Sequence, residues 1–342
     1  MIRIVKPEKY STVSLLTQKQ VAFINGAEMR ANAQGQKFDY LNLVVEGEDE
    51  TAPEPVRFLW ESDSDDGEYV LEIADDEDFD SKIEIHTTQP KADIYNLQLG
   101  KKYYARVCCK TECSDVTAFC TAMETPRSIY VPGLVNVRDF GGWKTSSGKR
   151  INQGLLYRGC KMNLCAKNMP PQITDEGKRV MVQQLEIKTD IDLRADSIEK
   201  GRTGVLDEYG VRYMILPCNA YEEFLWDRCS EGNRRIFEEL ANEDNYPIYL
   251  HCWGGADRTN MIMFMLGAIL GMSEEDMLLD YEYTSLAIWG IRTRNSEGLQ
   301  NFKKSLSKFG PIDNWLDNAL QYLYSIGVTD EVMDKIRKIF LP

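Results

Sequence analysis

Two patterns of hydrophobic and polar residues follow one another along this chain, and the change falls near residue 130. Before that point, segments rich in β-branched and aromatic residues recur at intervals of about ten residues, with polar or Gly/Asp-rich turns between them. The segments are residues 56–60, 68–73, 82–85 and 102–108. Strands at this spacing are typical of an antiparallel sandwich, so the pattern predicts an all-β domain over residues 1–128 with an N-terminal extension or edge strand.

After residue 129 the chain alternates between short apolar runs and helical periodicity. Apolar runs of strand length lie at 187–193, 211–216 and 246–251, and helical patterns lie at 174–185, 233–241, 259–270, 315–326 and 330–339. Strands that alternate with helices build a mixed or parallel sheet flanked by helices. The sequence therefore predicts an α/β domain over residues 129–342, joined to the first by an extended linker between Pro126 and Pro132.

The net charge of the chain limits the classes of partner that it is expected to bind. The 342 residues include 40 basic and 54 acidic side chains, a formal net charge of −14, and residues 1–130 hold 14 of the basic and 24 of the acidic ones. An acidic protein is a poor partner for nucleic acid or an anionic membrane, since both attract basic surfaces. Because the acidity is concentrated in the first domain, it does not exclude a locally positive site in the second.

The length of the apolar runs and the number of cysteines indicate the cellular compartment. The longest apolar run, residues 261–272, is too short to span a bilayer, so no transmembrane segment is predicted. The first residues contain no apolar stretch of the kind that forms a signal peptide. The nine cysteines are odd in number and irregularly spaced, which favours a reducing cytoplasm over a disulfide scaffold. We therefore expect a cytoplasmic protein, with export left open.

Two groups of side chains in the first domain raise the question of metal binding. Four cysteines cluster along one stretch: Cys108, Cys109, Cys113 and Cys120. They lack the paired Cys-x-x-Cys spacing of zinc sites, so we expect buried small hydrophobic residues there. The acidic runs at 61–68 and 75–78 lack the spacing of an EF-hand, which favours solvated loops over calcium ligands. No metal or cofactor is predicted for this chain.

The segment with the clearest chemistry is His251–Thr259, a loop between a predicted buried strand and a predicted buried helix. A loop that enters a helix directs successive backbone N–H groups to one point, and the helix N-terminus adds about half a positive charge. Gly254 and Gly255 permit close approach, and Arg258 offers a planar fork that matches phosphate oxygens. The segment therefore predicts an anion cradle with the Cys252 thiolate as a nucleophile at its rim.

These residues resemble the loop signature of the cysteine-dependent phosphatases, in the form His-Cys-x-x-Gly-x-Asp-Arg-Thr of a bacterial tyrosine phosphatase family. Further motifs of that family resemble segments Asn136–Gly142, Leu155–Gly159, Ile191–Arg194 and Asp280–Ser285. The resemblance covers residues 131–342 in family order. It implies an α/β phosphatase fold and metal-free hydrolysis of phosphomonoesters through a cysteinyl-phosphate.

The resemblance implies a role for each residue of the loop. Cys252 would attack phosphorus, Arg258 and the backbone amides would hold the phosphate oxygens, and Asp257 would be the general acid. The amide-bearing residues between them are Trp253, Gly254, Gly255 and Ala256. Thr259 would donate a hydrogen bond to the sulfur, and His251 would position the loop without transferring protons.

The general acid has alternatives. Many tyrosine phosphatases take it from a separate loop that contains Asp, but the corresponding stretch here, Leu216–Glu223, has none. Asp192, Glu222 and Glu223 are therefore alternates to Asp257. A further alternative is that Asp257 is a structural carboxylate that holds Arg258 or its own loop.

Some positions support the site or depart from the family. Arg138 and Asp139 are expected to brace the site, with direct phosphate contact left open. Ala256 stands where the family often has a Lys that helps to bind multiply phosphorylated lipids. Asn260 stands where the family usually has Gly, and its side chain could crowd helix packing. Neither departure removes a catalytic atom.

The leading hypothesis for function is a protein tyrosine or dual-specificity phosphatase, which acts on a phosphorylated protein or a small phosphomonoester. The alternatives are a phosphatase for phosphoinositides or inositol phosphates, and a phosphate-binding pseudophosphatase that serves as an interaction module. The first domain would then recruit a protein partner. It resembles a fibronectin type III or immunoglobulin-like module over residues 50–126, on the basis of Trp60 and of the Leu-x-x-Gly-x-x-Tyr run at 97–103, in which the family's Tyr hydroxyl bonds to the backbone.

Overall fold

The computed structural model describes residues 1–26, 43–45, 47–63, 67–163, 171–195, 201–311 and 314–342. The chain forms two compact units. The first comprises Met1–Thr17 and Pro53–Ile129, and the second comprises Gln18–Ala52 and Tyr130–Pro342. The division thus differs from a single cut near residue 128, because residues 18–52 group with the later part of the chain.

The first unit consists mainly of strands. They are β1 (Ile2–Lys6), β2 (Thr12–Val13), β3 (Val56–Ser62), β4 (Tyr69–Ala74), β5 (Lys82–Thr87), β6 (Lys91–Ile94), β7 (Lys102–Cys108), β8 (Thr117–Thr121) and β9 (Arg127–Ser128). One sheet has the order β1-β3-β6 and another the order β2-β8-β7-β4-β5. The four segments that the hydrophobic pattern predicted are strands β3, β4, β5 and β7, and the short β1 and β2 lie at sheet edges.

Alternating side chains build the core of this unit. Val56, Phe58 and Trp60 of β3 are buried, whereas Arg57 and Glu61, which point to the other face, are exposed, as the two-residue period of a strand requires. The Tyr103 hydroxyl accepts a hydrogen bond from the backbone N–H of Gln98 at 2.9 Å, so the predicted backbone contact of that Tyr is present. The likeness of the whole unit to fibronectin type III or immunoglobulin-like modules stays a prediction.

The expectation for the clustered cysteines is wrong. Cys108 and Cys113 form a disulfide, because a tight antiparallel bridge brings their Cα atoms to 4.0 Å. Cys109 and Cys120 are not part of that disulfide, and they are half-buried rather than buried. Among the residues that the structure describes, no three His, Cys, Asp or Glu side chains are grouped as metal ligands.

The acidic runs of the first unit have local partners. In the run 75–78, Asp75 pairs with Lys101, and the Asp76 carboxylate accepts hydrogen bonds from the backbone N–H groups of Asp78 and Asp80 at 3.0 and 3.1 Å. These contacts suit a solvated turn. In the run 61–68, residues 64–66 lie outside the described residues.

The second unit contains strands and helices in alternation. Its strands are β10 (Arg138–Asp139), β11 (Leu156–Gly159), β12 (Thr189–Asp192), β13 (Arg212–Ile215) and β14 (Ile248–His251). Its α-helices are α1 (Gln18–Asn25), α2 (Asp175–Arg179), α3 (Ser230–Leu240), α4 (Asp257–Leu270), α5 (Glu274–Tyr283), α6 (Glu297–Leu306), α7 (Trp315–Ser325) and α8 (Asp330–Phe340). The strand order is β13-β12-β14-β11-β10, and only the β10–β11 pair is antiparallel. The predicted mixed sheet is confirmed.

Local signals set the ends of the helices. The Thr174 hydroxyl caps α2 by accepting from the Gly177 N–H at 3.0 Å, and a π-helical turn, Val180–Gln184, continues it. Gly271 ends α4 with φ +74°, a left-handed conformation that suits glycine. Every residue of α4 from 259 to 270 is buried, which places this helix at the centre of the unit. No helix in the described ranges is long and apolar enough to cross a membrane.

The segment before residue 53 is built into the second unit. Phe23 of α1 packs edge-on against Tyr283, with ring centroids 6.1 Å apart. The side-chain amide of the buried Gln20 donates to the backbone oxygens of Glu50 and Ala52 at 2.9 and 2.7 Å. These contacts fix the residues around Thr51 against the body of the unit.

Candidate active site

Three parallel strands bring their carboxyl ends together at one edge of the sheet. Asp192 of β12 and Gly159 of β11 both pair in register with His251, the last residue of β14. The 252–258 loop leaves this edge directly after His251, and α4 begins inside it at Asp257. Ligands of α/β proteins bind at the carboxyl ends of the strands, so the predicted loop lies where a site is expected.

Neighbouring segments bind three successive carbonyl groups of the 252–258 loop. The backbone N–H of Lys161 donates to the oxygen of Trp253 at 3.0 Å, and the Asn136 side-chain amide donates to the oxygen of Gly254 at 2.8 Å. The Arg158 guanidinium donates to the oxygen of Gly255 at 2.5 Å. In a planar trans peptide the N–H points opposite to the C=O. Tying these oxygens outward therefore turns the amides of residues 254–256 to the inside of the loop.

The inner side of the loop is open to an anion. Within the described part of the chain, nothing accepts a hydrogen bond from the backbone N–H groups of residues 254–258, and no carboxylate lies within ion-pair distance of Arg258. The N-terminus of α4 adds the positive end of its dipole at the same place. Converging amides, a helix dipole and an unpaired guanidinium form a site for a tetrahedral oxyanion.

Two glycines are required by close contacts. Gly255 has φ +65°, and a Cβ there would lie 2.2 Å from the backbone oxygen of Gly159. A Cβ on Gly254 would lie 2.8 Å from the indole nitrogen of Trp289. A side chain at Gly255 would displace the backbone of the loop, and one at Gly254 would displace the Trp289 ring, which explains the glycine pair in the sequence.

Cys252 is buried at the rim of this loop, with 4% of its surface exposed. Burial alone raises the pKa of its thiol, but the adjacent hydroxyl and backbone N–H of Thr259, together with the Arg258 charge, outweigh burial and the net pKa is lowered. Among the described residues, no group lies in hydrogen-bonding geometry with the buried Thr259 hydroxyl, so this hydroxyl remains available to the sulfur. The site therefore favours the thiolate, which is the nucleophilic form of cysteine.

His251 lies behind the nucleophile in a buried ion pair. Its Nε2 is 3.1 Å from a carboxylate oxygen of Asp190, in a direction that does not align for a hydrogen bond, and its Nδ1 is 3.0 Å from the backbone oxygen of Cys252. Burial alone lowers the pKa of His251, but the Asp190 carboxylate outweighs burial and the net pKa is raised. The raised pKa favours the imidazolium form next to the Cys252 backbone, and burial also raises the pKa of its partner Asp190.

Asp257 is held by residues that the sequence reasoning missed. The Arg292 guanidinium donates to both of its oxygens, Nε to Oδ1 at 2.8 Å and Nη2 to Oδ2 at 3.1 Å, and the Tyr221 hydroxyl donates to Oδ1. Burial alone raises the pKa of Asp257. The hydrogen bonds from Arg292 and Tyr221 and the charge of Arg292 outweigh burial, so the net pKa is below its ordinary value. In this conformation Asp257 is an ionised carboxylate, held by Arg292 rather than by Arg258.

The alternate general acids lie away from the loop. Asp192 is fully buried, and its oxygens accept from Arg194 at 2.8 Å each and from the Tyr213 hydroxyl at 2.7 Å. It braces Arg194, whose guanidinium lies over the ring of Trp253 at 5.4 Å from the centroid. Glu222 and Glu223 are exposed on the 3-10 turn Tyr221–Leu225, so this predicted stretch reaches the loop through Tyr221 and not through a carboxylate.

The two residues expected to brace the site do so in different ways. All three guanidinium nitrogens of Arg138 donate within the buried interior, to Asp280, Asn136 and Thr284, so this side chain is not directed at an anion in the loop. The Asp139 carboxylate accepts from the backbone N–H groups of Gly141 and Gly154 at 2.8 and 2.7 Å. Asp139 therefore braces its own segment.

A buried network of charged side chains contacts the 252–258 loop through Arg158. Asp280 accepts from Arg138 at 2.6 Å and from Arg158 at 2.5 Å, and Arg158 also donates to the Asn260 side-chain oxygen at 2.7 Å. Burial and the neighbouring Arg138 lower the pKa of Arg158 to about 9, which leaves it charged at neutral pH. Asn260 thus accepts a hydrogen bond from Arg158 through its side-chain oxygen, while its side-chain nitrogen has no partner among the described residues.

Comparison with known proteins agrees with this arrangement. Residues 129–341 match the model of the tyrosine phosphatase family. The chain belongs to the tyrosine phosphatase family and is a cysteine-dependent phosphatase. The auxiliary motifs quoted from the sequence contain Asn136, Arg158 and Asp280, and the stretch Leu216–Glu223 contains Tyr221, so a signal for these residues was present without a role. Arg292 had no such signal.

Two solved structures are similar to part of the chain. The core catalytic domain of the PP-IP phosphatase SIW14 from S. cerevisiae, in complex with citrate, is 16% identical, with 48% of this chain and 93% of that chain covered and a TM-score of 0.31. TpbA from P. aeruginosa is 17% identical, with 54% of this chain and 85% of that chain covered and a TM-score of 0.28. No curated protein matches the chain in sequence.

Proposed function

We propose that this protein hydrolyses phosphorylated tyrosine side chains, or small aryl phosphates like them, through a phosphate ester of Cys252. One observation carries the proposal: three carbonyl groups of the 252–258 loop are bound from outside, while the amides of residues 254–258 have no acceptor among the described residues. Such a loop is organised before the substrate arrives, so binding the charge of the transition state needs little rearrangement.

The reaction has two displacement steps. The Cys252 thiolate attacks phosphorus, the S–P bond forms as the ester P–O bond breaks, and the leaving oxygen takes a proton from a general acid. Water then attacks phosphorus and gives its proton to the same group, and the thiolate leaves as inorganic phosphate forms. Arg258 and the loop amides hold the equatorial oxygens in both steps, and the Thr259 hydroxyl stabilises the departing sulfur.

Asp257 is the general acid in this proposal. It is the carboxylate of the loop itself, and its partly exposed side chain adjoins the open amide edge. Because Arg292 holds it as a carboxylate in the structure, it can gain a proton only when that ion pair opens. Ala256 supplies no cation for a second phosphate group, which supports phosphotyrosine over phosphoinositides as the substrate class.

The test is a substrate panel with matched variants. The wild type and Cys252→Ser are assayed on an aryl phosphate, with and without vanadate, and then on phosphotyrosine, phosphoserine and phosphothreonine peptides, a phosphoinositide and an inositol phosphate. We expect vanadate-sensitive turnover that Cys252→Ser abolishes, with the highest kcat/KM on phosphotyrosine peptides. Cys160→Ser is the matched control, since burial raises the pKa of that thiol to about 12 and it is not expected to react. A clear preference for the lipid would contradict the substrate assignment.

A further inference from the structure

The segment that follows α5 rests on the 252–258 loop at two separate points. The ring of Trp289 lies against the Cα of Gly254, and the guanidinium of Arg292 lies against Asp257. Both side chains are partly exposed, so the segment lies at the solvent side of the loop. Gly254 and Asp257 both belong to the stretch 254–258, whose amides have no acceptor among the described residues. The segment therefore places Arg292 beside the opening through which an anion enters.

Among the residues that the structure describes, Asp257 is the one side chain to which the Arg292 guanidinium donates hydrogen bonds. Its guanidinium makes two charge-assisted contacts to that carboxylate, at 2.8 and 3.1 Å. Its other contacts are long, at 3.3 to 3.4 Å, and go to backbone oxygens of its own segment, residues 289–291. An arginine whose strong contacts all go to one half-exposed carboxylate can move to a second anion of higher charge.

Several charged or titratable groups surround Asp257 and affect the pKa of its carboxyl group. Arg292 comes from the segment after α5, Tyr221 from the 3-10 turn before α3, and Tyr281 of α5 bonds to the Tyr221 hydroxyl at 2.9 Å. Arg258 and Cys252 are its neighbours on the loop, and Arg258 lowers the pKa of Asp257 whereas the Cys252 thiolate opposes ionisation. Arg292 is the cation of this set that lies outside the loop, and it lowers the pKa of Asp257 more than Tyr221 or Arg258 does.

We propose that Arg292 is a substrate-binding residue, which leaves Asp257 for the phosphoryl group of the entering substrate and thereby makes Asp257 available as the general acid. The inference rests on the proposed function, because it concerns the acid of that reaction. A phosphate dianion in the loop competes with the Asp257 carboxylate for the same guanidinium. It carries twice the charge of the carboxylate, and Arg binds both groups through a bidentate fork.

The proton balance follows from that exchange. With Arg292 moved and a dianion nearby, the carboxylate of Asp257 loses a favourable charge and gains an unfavourable one, so it takes one proton from solvent. It gives this proton to the leaving oxygen as the P–O bond breaks. It regains a proton from the water that hydrolyses the cysteinyl-phosphate. The Tyr221 hydroxyl keeps its hydrogen bond to Asp257 and so holds the carboxyl group in place.

Binding of inorganic tungstate, a phosphate-like dianion, tests the exchange without turnover. Calorimetry compares the wild type, Arg292→Gln, Asp257→Asn and the double variant. We expect Asp257→Asn to bind about tenfold more tightly than the wild type, because Arg292 no longer has to leave a carboxylate. In the Asp257→Asn background, Arg292→Gln should weaken binding by about tenfold or more, a larger loss than in the wild-type background. Arg179→Gln, which removes an exposed guanidinium paired with Glu176, is the charge control.

Kinetics supply the second readout. With an aryl phosphate, Arg292→Gln should raise KM and should move the basic limb of the kcat/KM profile to higher pH, because Asp257 in the free enzyme loses its main cation. Arg292→Lys keeps the positive charge but lacks the planar guanidinium fork, so it should restore only part of the affinity that Arg292→Gln loses. If Arg292→Gln alters tungstate affinity no more than Arg179→Gln in either background, the exchange is wrong even though the enzyme turns over. If the wild type binds no tungstate and has no turnover, the proposed function fails, and the exchange falls with it.

Discussion

The side-chain amide of Asn136 donates a hydrogen bond to the backbone oxygen of Gly254 at 2.8 Å, across 118 positions of sequence. The backbone N–H of Asn136 in turn donates to the hydroxyl of Thr51 at 2.8 Å. One residue thus joins the 252–258 loop to a segment that precedes the family match at residue 129. The shape of the loop therefore depends on residues outside it, and changing them should alter catalysis without touching the nucleophile.

Asn136→Ala should lower kcat/KM on an aryl phosphate by about tenfold to a hundredfold, because a misdirected amide weakens the binding of the transition state. The matched control is Asn152→Ala. Asn152 also donates its side-chain amide to a backbone oxygen, that of Ile339 at 3.1 Å, but not to the loop. Steady-state kinetics on both variants, with circular dichroism to verify folding, decide the point. An equal loss in the two variants would mean that the Asn136 contact has no specific effect on the loop.

Asp280→Asn should destabilise the protein by about 3–5 kcal/mol at neutral pH, because it leaves two buried guanidinium groups without their carboxylate. The affected partners are Arg138 and Arg158. Urea unfolding measures the loss. The exposed Asp244→Asn is the control and should change the unfolding free energy by less than about 0.5 kcal/mol.

The same carboxylate predicts a pH dependence of stability. Burial raises the pKa of Asp280, but the two arginines outweigh burial and the folded pKa is below the ordinary 3.8. A lowered folded pKa gives stability that is present above the unfolded value, about 3.9, and is lost as the pH falls through the folded value. The gap in unfolding free energy between wild type and Asp280→Asn should therefore be constant from pH 7 to 5 and shrink below about pH 4. A gap that is unchanged at pH 3 would contradict the assignment.

Asp190→Asn should raise the pKa of Cys252. The His251–Asp190 pair is neutral overall, but its positive member lies against the Cys252 backbone, so its dipole favours the thiolate. Without the carboxylate, His251 loses its proton and the dipole disappears. Ultraviolet absorbance of the thiolate, with the Cys252→Ser signal subtracted, should show the titration midpoint moving up by about half a pH unit to one unit. A midpoint that stays in place or falls would remove His251 from the electrostatics of the nucleophile.

Asn260→Gly should destabilise the protein by about 1–2 kcal/mol, from the lost contact to Arg158 and the cost of glycine within a helix. Gln321→Gly, an exposed position in α7, isolates the glycine cost of about 1 kcal/mol. The difference between the two variants in urea unfolding measures the contact. If Gln321→Gly costs as much as Asn260→Gly, the hydrogen bond to Arg158 contributes nothing measurable.

Much of the second unit could be predicted because its signals are local. The strand, loop and helix around Cys252 follow from an apolar run, a glycine pair and a buried helical segment, all within residues 246–270. Strands β3, β4, β5 and β7 of the first unit follow from their β-rich or alternating segments and the turns between them. By contrast, α6 and the two-residue β10 were not predicted. A strand of two residues shows no period, whereas α6 is as clearly amphipathic as the predicted α3, so its pattern was present in the sequence and was missed.

The site residues were missed for a different reason. Tyr221 and Arg292 reach Asp257 from positions 36 and 35 residues away, and no spacing rule connects such loops. Asn136 and Arg158 stood in recognisable motifs, yet their role depends on which loop oxygen each one meets after folding. The Cys108–Cys113 bond likewise depends on a tight antiparallel bridge that cysteine counting does not reveal.

The central claim is that Cys252 becomes phosphorylated in a loop organised to hold phosphate. The most direct measurement is acid quenching of the wild type during turnover of an aryl phosphate, followed by mass spectrometry of the peptide that contains Cys252. The account predicts one added phosphoryl group on that peptide, absent in Cys252→Ser and more abundant in Asp257→Asn, where the water attack lacks its base. Turnover with no phosphoryl group on Cys252 in either active variant would contradict it.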